Sequence, residues 1–158
     1  AAWMLLCTAP AVQASAACIG DAPDVVLECY SQAHELRDVG ALEELFAPDY
    51  VWISVAPPEA QVFDREKTMK MSANMFADDR VERVSLIFGE GYAVVEDTEP
   101  GTWRLENVPA TLVAKLSSSD SPHETTGCMT YYVRKVSEDP PRYEIFREVT
   151  FYRVACDE

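Results

Sequence analysis

Apolar residues recur at helical spacing from Asp24 to Asp38, with Val26, Cys29, Tyr30 and Ala33 on one stripe and Leu36 or Arg37 closing it. Asp21 or Asp24 is placed to cap this helix. A short second helix is predicted over Gly40 to Phe46, ended by Pro48. Tyr50 to Val55 is rich in β-formers and stops at Pro57-Pro58. A third helix fits Arg65 to Phe76, where Met69, Met71, Met75 and Phe76 read as flexible core packing. From Val81 onward the pattern changes to alternating β-branched and aromatic runs split by turn signals. Strands are predicted over Val81 to Phe88, Tyr92 to Asp97, Trp103 to Leu116 as one strand or two joined at a Pro109 bulge, Thr125 to Val136 and Arg142 to Val154. The last two form an antiparallel hairpin turning through Ser137 to Pro141, which sets Cys128 opposite roughly Phe151. In the last strand Ile145, Val149 and Phe151 share one face, and Phe146, Tyr152 and Val154 the other, so both faces are expected to be covered. Helices first and a meandering sheet afterwards is an α+β arrangement.

The first twenty residues, Ala1 to Gly20, interrupt this picture because they carry no charge. Trp3-Met4-Leu5-Leu6 leads into Ala14-Ser15-Ala16-Ala17, which reads as the apolar core and A-x-A cleavage site of a signal peptide. It is too short for a membrane span. Residues 1–17 are therefore expected to be a signal remnant, 18–158 a single domain, and the protein secreted or periplasmic. A buried N-terminal helix, or lipidation at Cys18, is the alternative use of this segment. The remaining roughly 140 residues suffice for one core. The formal net charge of −14 is unchanged by cleavage and argues against nucleic acid, whose phosphates demand a basic surface.

Cys18, Cys29, Cys128 and Cys156 stay in the mature chain, and an even number in an oxidising compartment points to bridges. Three connectivities are possible. Pairing of Cys128 with Cys156 is disfavoured, because about five residues of continued strand separate them by on the order of 16 Å. Domain termini often lie close together, which favours Cys18 with Cys156. Cys29 and Cys128 are then a second pair or two buried thiols. No Cys-x-x-Cys or Cys/His cluster calls for a metal, and no cofactor is indicated.

The stretch Tyr30-Ser31-Gln32-Ala33-His34-Glu35-Leu36-Arg37-Asp38-Val39-Gly40-Ala41-Leu42-Glu43-Glu44-Leu45-Phe46-Ala47-Pro48-Asp49-Tyr50-Val51-Trp52 resembles the opening of the nuclear transport factor 2-like superfamily. That superfamily includes SnoaL-like polyketide cyclases, ketosteroid isomerases and scytalone dehydratase. The resemblance implies a cone of about three helices packed on a strongly curved antiparallel sheet of about five to six strands, a pocket between them, and a homodimer. It does not imply one activity, since the fold hosts many. Against the ketosteroid isomerase pattern, Tyr30 falls on the hydrogen-bond donor of the first helix. The base position falls on Ser54, whose hydroxyl cannot take a proton from carbon at neutral pH. The second donor position falls on Tyr131 or Tyr132.

Two donors alone make a binding pocket, and catalysis needs a group that titrates near neutrality. His34 lies one helical turn after Tyr30 on the same face, either as acid or base or as an ordinary buried helix histidine. Glu148 sits in an apolar strand, where burial raises its pKa unless Arg134 or Lys135 pairs with it. Trp52 and Trp103 line a pocket or fill the core. Three functions follow: an exported binder of a small apolar or aromatic molecule, walled by Tyr30, Trp52 and Tyr132; a lyase or isomerase of a small cyclic or polyketide-like substrate using Tyr30 with His34 or Glu148; or a dimeric interaction module whose pocket is filled by its own side chains.

Overall fold

The computed structural model describes residues 18–156, so the expected signal remnant lies outside the described residues. Helix α1 (Val25–Glu35) buries Val26, Leu27, Tyr30, Ala33 and His34, one face at i, i+4 and i+7 spacing. It ends in a left-handed residue, Arg37 at φ 52°, with Asp38 N–H donating to the Ala33 carbonyl and Arg37 N–H to that of His34. Asp38 then starts helix α2 (Val39–Leu45) by accepting from Ala41 N–H at 3.0 Å. One residue thus closes one helix and opens the next, which fixes the angle between them.

Strand β1 (Phe46–Ala56) starts directly at the end of α2, earlier than Tyr50. Pro48 does not stop a helix; it lies inside β1 where the ladder is irregular between Phe46 and Val51, a position that does not need its missing N–H. Strand β2 (Glu59–Asp64) pairs back on β1 and was not expected. It is an almost wholly exposed edge, so its sequence lacks the alternation of a half-buried strand. Asp64 accepts from Lys67 N–H at 2.8 Å and caps helix α3 (Arg65–Ala77). Strands β3 (Val81–Phe88), β4 (Ala93–Glu96), β5 (Thr102–Leu116), β6 (His123–Glu138) and β7 (Pro141–Tyr152) complete the chain. β5 is one strand, and its irregularity falls at Asn107, φ 57°, rather than at Pro109.

The three helices pack on a seven-stranded sheet of order β2-β1-β7-β6-β5-β3, with β4 beside β5, in an open α+β cone. The sheet is mixed, not antiparallel throughout: β1 runs parallel to β7. A parallel neighbour requires a long crossover, and here α3 and the five strands β2 to β6 supply it. Phe46, Tyr50, Leu42, Leu45, Leu105, Tyr131 and Ile145 are among the fully buried side chains, and the Phe46 and Tyr50 rings stack at 4.1 Å.

Within the β6–β7 hairpin Cys128 faces Phe151 in register, and Glu138 faces Pro141 at the turn. A β-bulge at Phe146 separates Ile145 from Arg147 opposite Val133 and Tyr132. The extra residue reverses the alternation, so Tyr143 and Ile145 are buried before it and Glu148 and Thr150 after it. Grouping Ile145 with Val149 and Phe151 on one face is corrected by that bulge. Phe151 points outward and is 41% exposed.

The disulfides are Cys18–Cys29 and Cys128–Cys156, with Cα separations of 5.8 and 5.0 Å. Neither Cys18–Cys156 nor Cys29–Cys128 forms. The strand does not continue to Cys156: β7 ends at Tyr152, and Arg153, at φ 57°, turns the chain back with its N–H on the Thr126 carbonyl. The Cys18 sulfur is likewise committed to α1, which leaves no thiol there for lipidation. Among the described residues no helix is long and apolar enough to cross a membrane.

Candidate functional site

Between the helices and the concave face lies a cavity of about 490 Å3. α1 contributes Tyr30 and His34, β1 contributes Trp52, and α3 contributes Thr68, Met71, Ser72 and Met75. The sheet supplies Leu86, Ala110, Leu112 and Met129, the Thr125–Gly127 segment at the start of β6, and Glu148, Thr150 and Tyr152 of β7. Its walls are mostly apolar, and no Lys or Arg lines it. Among the described residues no group of His, Cys, Asp and Glu is placed to hold a metal ion.

Glu148 is 3% exposed and dominates the chemistry. Its Oε2 accepts from the Tyr50 hydroxyl at 2.8 Å and the Tyr30 hydroxyl at 3.3 Å. Its Oε1 accepts from the Thr150 hydroxyl at 3.4 Å, and Thr150 Oγ1 in turn accepts from Trp52 Nε1–H at 3.0 Å. Burial pushes the Glu148 carboxyl up to about 7, while the Tyr50, Tyr30 and Thr150 hydrogen bonds pull the other way. Burial first, then the Glu148 charge, raises the Tyr30 and Tyr50 phenols well above their ordinary value. The site therefore holds one group that titrates near neutrality, among phenols that stay protonated.

His34 meets the Tyr30 ring edge-on at 5.0 Å and the Phe76 ring at 5.4 Å. Its Nδ1 is 3.0 Å from the Tyr30 carbonyl, an acceptor, so Nδ1 carries the proton and Nε2 is the acceptor of the neutral ring. Burial lowers its pKa, which keeps it neutral at pH 7.

The structure brings Tyr30, His34, Trp52 and Glu148 of the sequence candidates to one cavity and leaves the others out. Tyr131 is fully buried behind Tyr30, ring centroids 6.2 Å apart, and its hydroxyl meets Met129 Sδ at 3.0 Å. Tyr132 alternates to the outer face, against Phe146 and the Arg147 guanidinium, and walls no pocket. Trp103 packs edge-on to Tyr143 at 5.7 Å, as core. Arg134 pairs with Asp49 and Glu144, and Lys135 with Glu138, so neither neutralises Glu148. Ser54, at the isomerase base position, lies opposite Thr150 in the β1–β7 ladder. Sequence reasoning missed Tyr50, Thr150 and Tyr152. The signal was the alternation Glu148, Thr150, Tyr152 beside Tyr50, Trp52, Ser54, legible only once β1 is known to lie against β7.

No family model matches the chain, and no curated protein matches it in sequence. Solved structures do match in shape. A nuclear transport factor 2-like superfamily protein from Salmonella enterica is 14% identical, with 84% of this chain and 89% of that one covered at a TM-score of 0.59. ActVI-ORFA from Streptomyces coelicolor is 13% identical over 81% and 94% of the two chains, TM-score 0.61. A candidate scytalone dehydratase from Novosphingobium aromaticivorans is 12% identical over 84% and 83%, TM-score 0.60. At such identities the likeness is one of fold.

Proposed function

From the nuclear transport factor 2-like fold that this chain has, we propose that the protein binds a small, largely apolar molecule between helices and sheet, with Glu148 as its polar anchor. The observation that carries this reading is a carboxyl buried on the wall of an apolar cavity with its hydroxyl partners already in place. A structural carboxyl has no need of a cavity, and a self-packed interior would have none beside it. Ala110 lies on the cavity wall, so Ala110→Phe fills the space without touching the polar groups. A thermal-shift screen of small aromatic and alicyclic compounds should give hits that Ala110→Phe loses. Hits retained by that variant place binding elsewhere and defeat the proposal.

A second reading is favoured by the Glu148 carboxyl standing near 7, where an acid–base group moves protons best. In it Tyr30 polarises a carbonyl or leaving hydroxyl, Glu148 moves the proton, and the protein is a lyase or isomerase of a small cyclic compound. ActVI-ORFA and the dehydratase candidate share the fold, which supports the reading only as analogy. Deuterium incorporation into a bound cyclic ketone, lost in Glu148→Gln with binding retained, is the expected result. Exchange at the wild-type rate in Glu148→Gln eliminates it.

Two further assignments accompany the function. Paired disulfides support export to an oxidising compartment, which cell fractionation tests. Val62, Ile53 and Val149 lie side by side in register across β2, β1 and β7, on the face opposite Trp52 and Thr150. That apolar row supports a homodimer through the outer sheet face. Sedimentation should give twice the chain mass, reduced to one by Ile53→Glu.

A further inference from the structure

Resting on the reading that the cavity is a binding site, we propose that its ligand is an amine: one ammonium group on a compact apolar body, paired with Glu148. The case begins with what Glu148 lacks. Tyr50, Tyr30 and Thr150 all donate to it, which suits a carboxylate, yet none carries positive charge. Oε1 has a single long partner, at 3.4 Å, and so retains accepting capacity in a residue that lines the cavity. A buried carboxylate without a cation is incomplete.

The rest of the lining fits the same head group. An ammonium brings several N–H donors and no acceptor. His34, neutral with Nε2 as acceptor, lines the cavity, as do Thr68, Ser72 and Thr125, whose hydroxyl oxygens can accept. Tyr30, Trp52 and Tyr152 present aromatic rings to the same space, and ring faces attract cations. A carboxylate or phosphate ligand meets no Lys or Arg and is repelled by Glu148. The net charge of −14 also concentrates cations near the protein. An alcohol or ketone of equal size makes the hydrogen bonds and leaves the charge unpaired.

Binding of an ammonium selects ionised Glu148, so affinity should follow that ionisation. The titratable groups facing Glu148 are Tyr30 and, in the same cavity, His34 from α1, Tyr50 from β1, Tyr131 from β6 and Tyr152 from β7. The four phenols are raised and His34 is lowered, so around pH 7 Glu148 is the group that changes. Amine affinity should fall about tenfold per unit below pH 7, about 100-fold weaker at pH 5 than at pH 8.

The experiment is calorimetric titration of the intact disulfide-bonded protein with naphthylmethylamine, naphthylmethanol and naphthoate, which share one apolar body. At pH 8 the amine should bind at least tenfold more tightly than the alcohol, and naphthoate should not bind. The amine's preference should vanish in Glu148→Gln while the alcohol still binds. In the wild-type protein, where folding of a variant is not at issue, the amine's affinity should drop steeply toward pH 5 and the alcohol's should not. An alcohol that binds as tightly as the amine, or an amine indifferent to pH, overturns the amine assignment and leaves the cavity reading standing. Binding by none of the three overturns both.

Discussion

Glu148 loses its water and keeps three hydroxyl donors, and the two effects pull its proton affinity in opposite directions. Because burial prevails, its folded pKa of about 7 lies above the ordinary 4.5, and the folded state holds the proton more tightly than the unfolded one. The contribution to stability is therefore fully present below pH 4.5 and is lost as pH rises through about 7, a swing of about 3 kcal/mol. Urea unfolding of wild type and Glu148→Gln from pH 5 to 9 should show that swing in the first and not in the second. Tyr50→Phe removes the 2.8 Å donor to Oε2, raises the Glu148 pKa further and should cost about 1–3 kcal/mol, more at pH 8 than at pH 5. Tyr30 was reached through the family resemblance, His34 through its one-turn spacing from Tyr30, and Glu148 as a charged group in an otherwise apolar strand. Tyr50 was not: a tyrosine in a β-rich run looks like core until the strand beside it is known.

At the scale of elements, α3 forms one wall of the cavity with little to hold it there. Thr68 and Phe76 are its only buried side chains, while Met71, Ser72 and Met75 face the cavity. Its amides should exchange with solvent faster than those of β5, β6 and β7, as hydrogen-exchange mass spectrometry would read. Asp64→Ala removes the α3 cap and should cost about 1 kcal/mol and speed that exchange further. Helical period and turn residues exposed all three helices in the sequence, and the β6–β7 register followed from its turn. The edge strand β2 escaped because an exposed polar strand has no period to detect. The bulge at Phe146 escaped because nothing in Glu-Ile-Phe-Arg-Glu marks where alternation reverses, and that reversal is what turns Glu148 inward.

For the molecule as a whole, the two disulfides each tie a segment outside the helices and strands to the framework, Cys18 to α1 and Cys156 to β6. With sequence separations of 11 and 28 between the paired positions, each should contribute about 3–4 kcal/mol on the chain-entropy model. Unfolding in dithiothreitol should lower the melting temperature, and Cys128→Ser with Cys156→Ser should reproduce the larger share. The pairing was misread from sequence because a strand was extended past the point where Arg153 turns it. The parallel contact of β1 with β7 was hidden for a related reason: local patterns report neighbours along the chain, and this partner lies about 95 residues away. That contact also orders events in time. Tyr30, Tyr50 and Trp52 are made before Glu148 and Thr150, so the carboxyl network closes only once β7 is in place, through contacts of long loop length. The cavity is then incomplete until β7 is made, and a nascent chain that has not yet extended through β7 carries the phenols without the acid they hold.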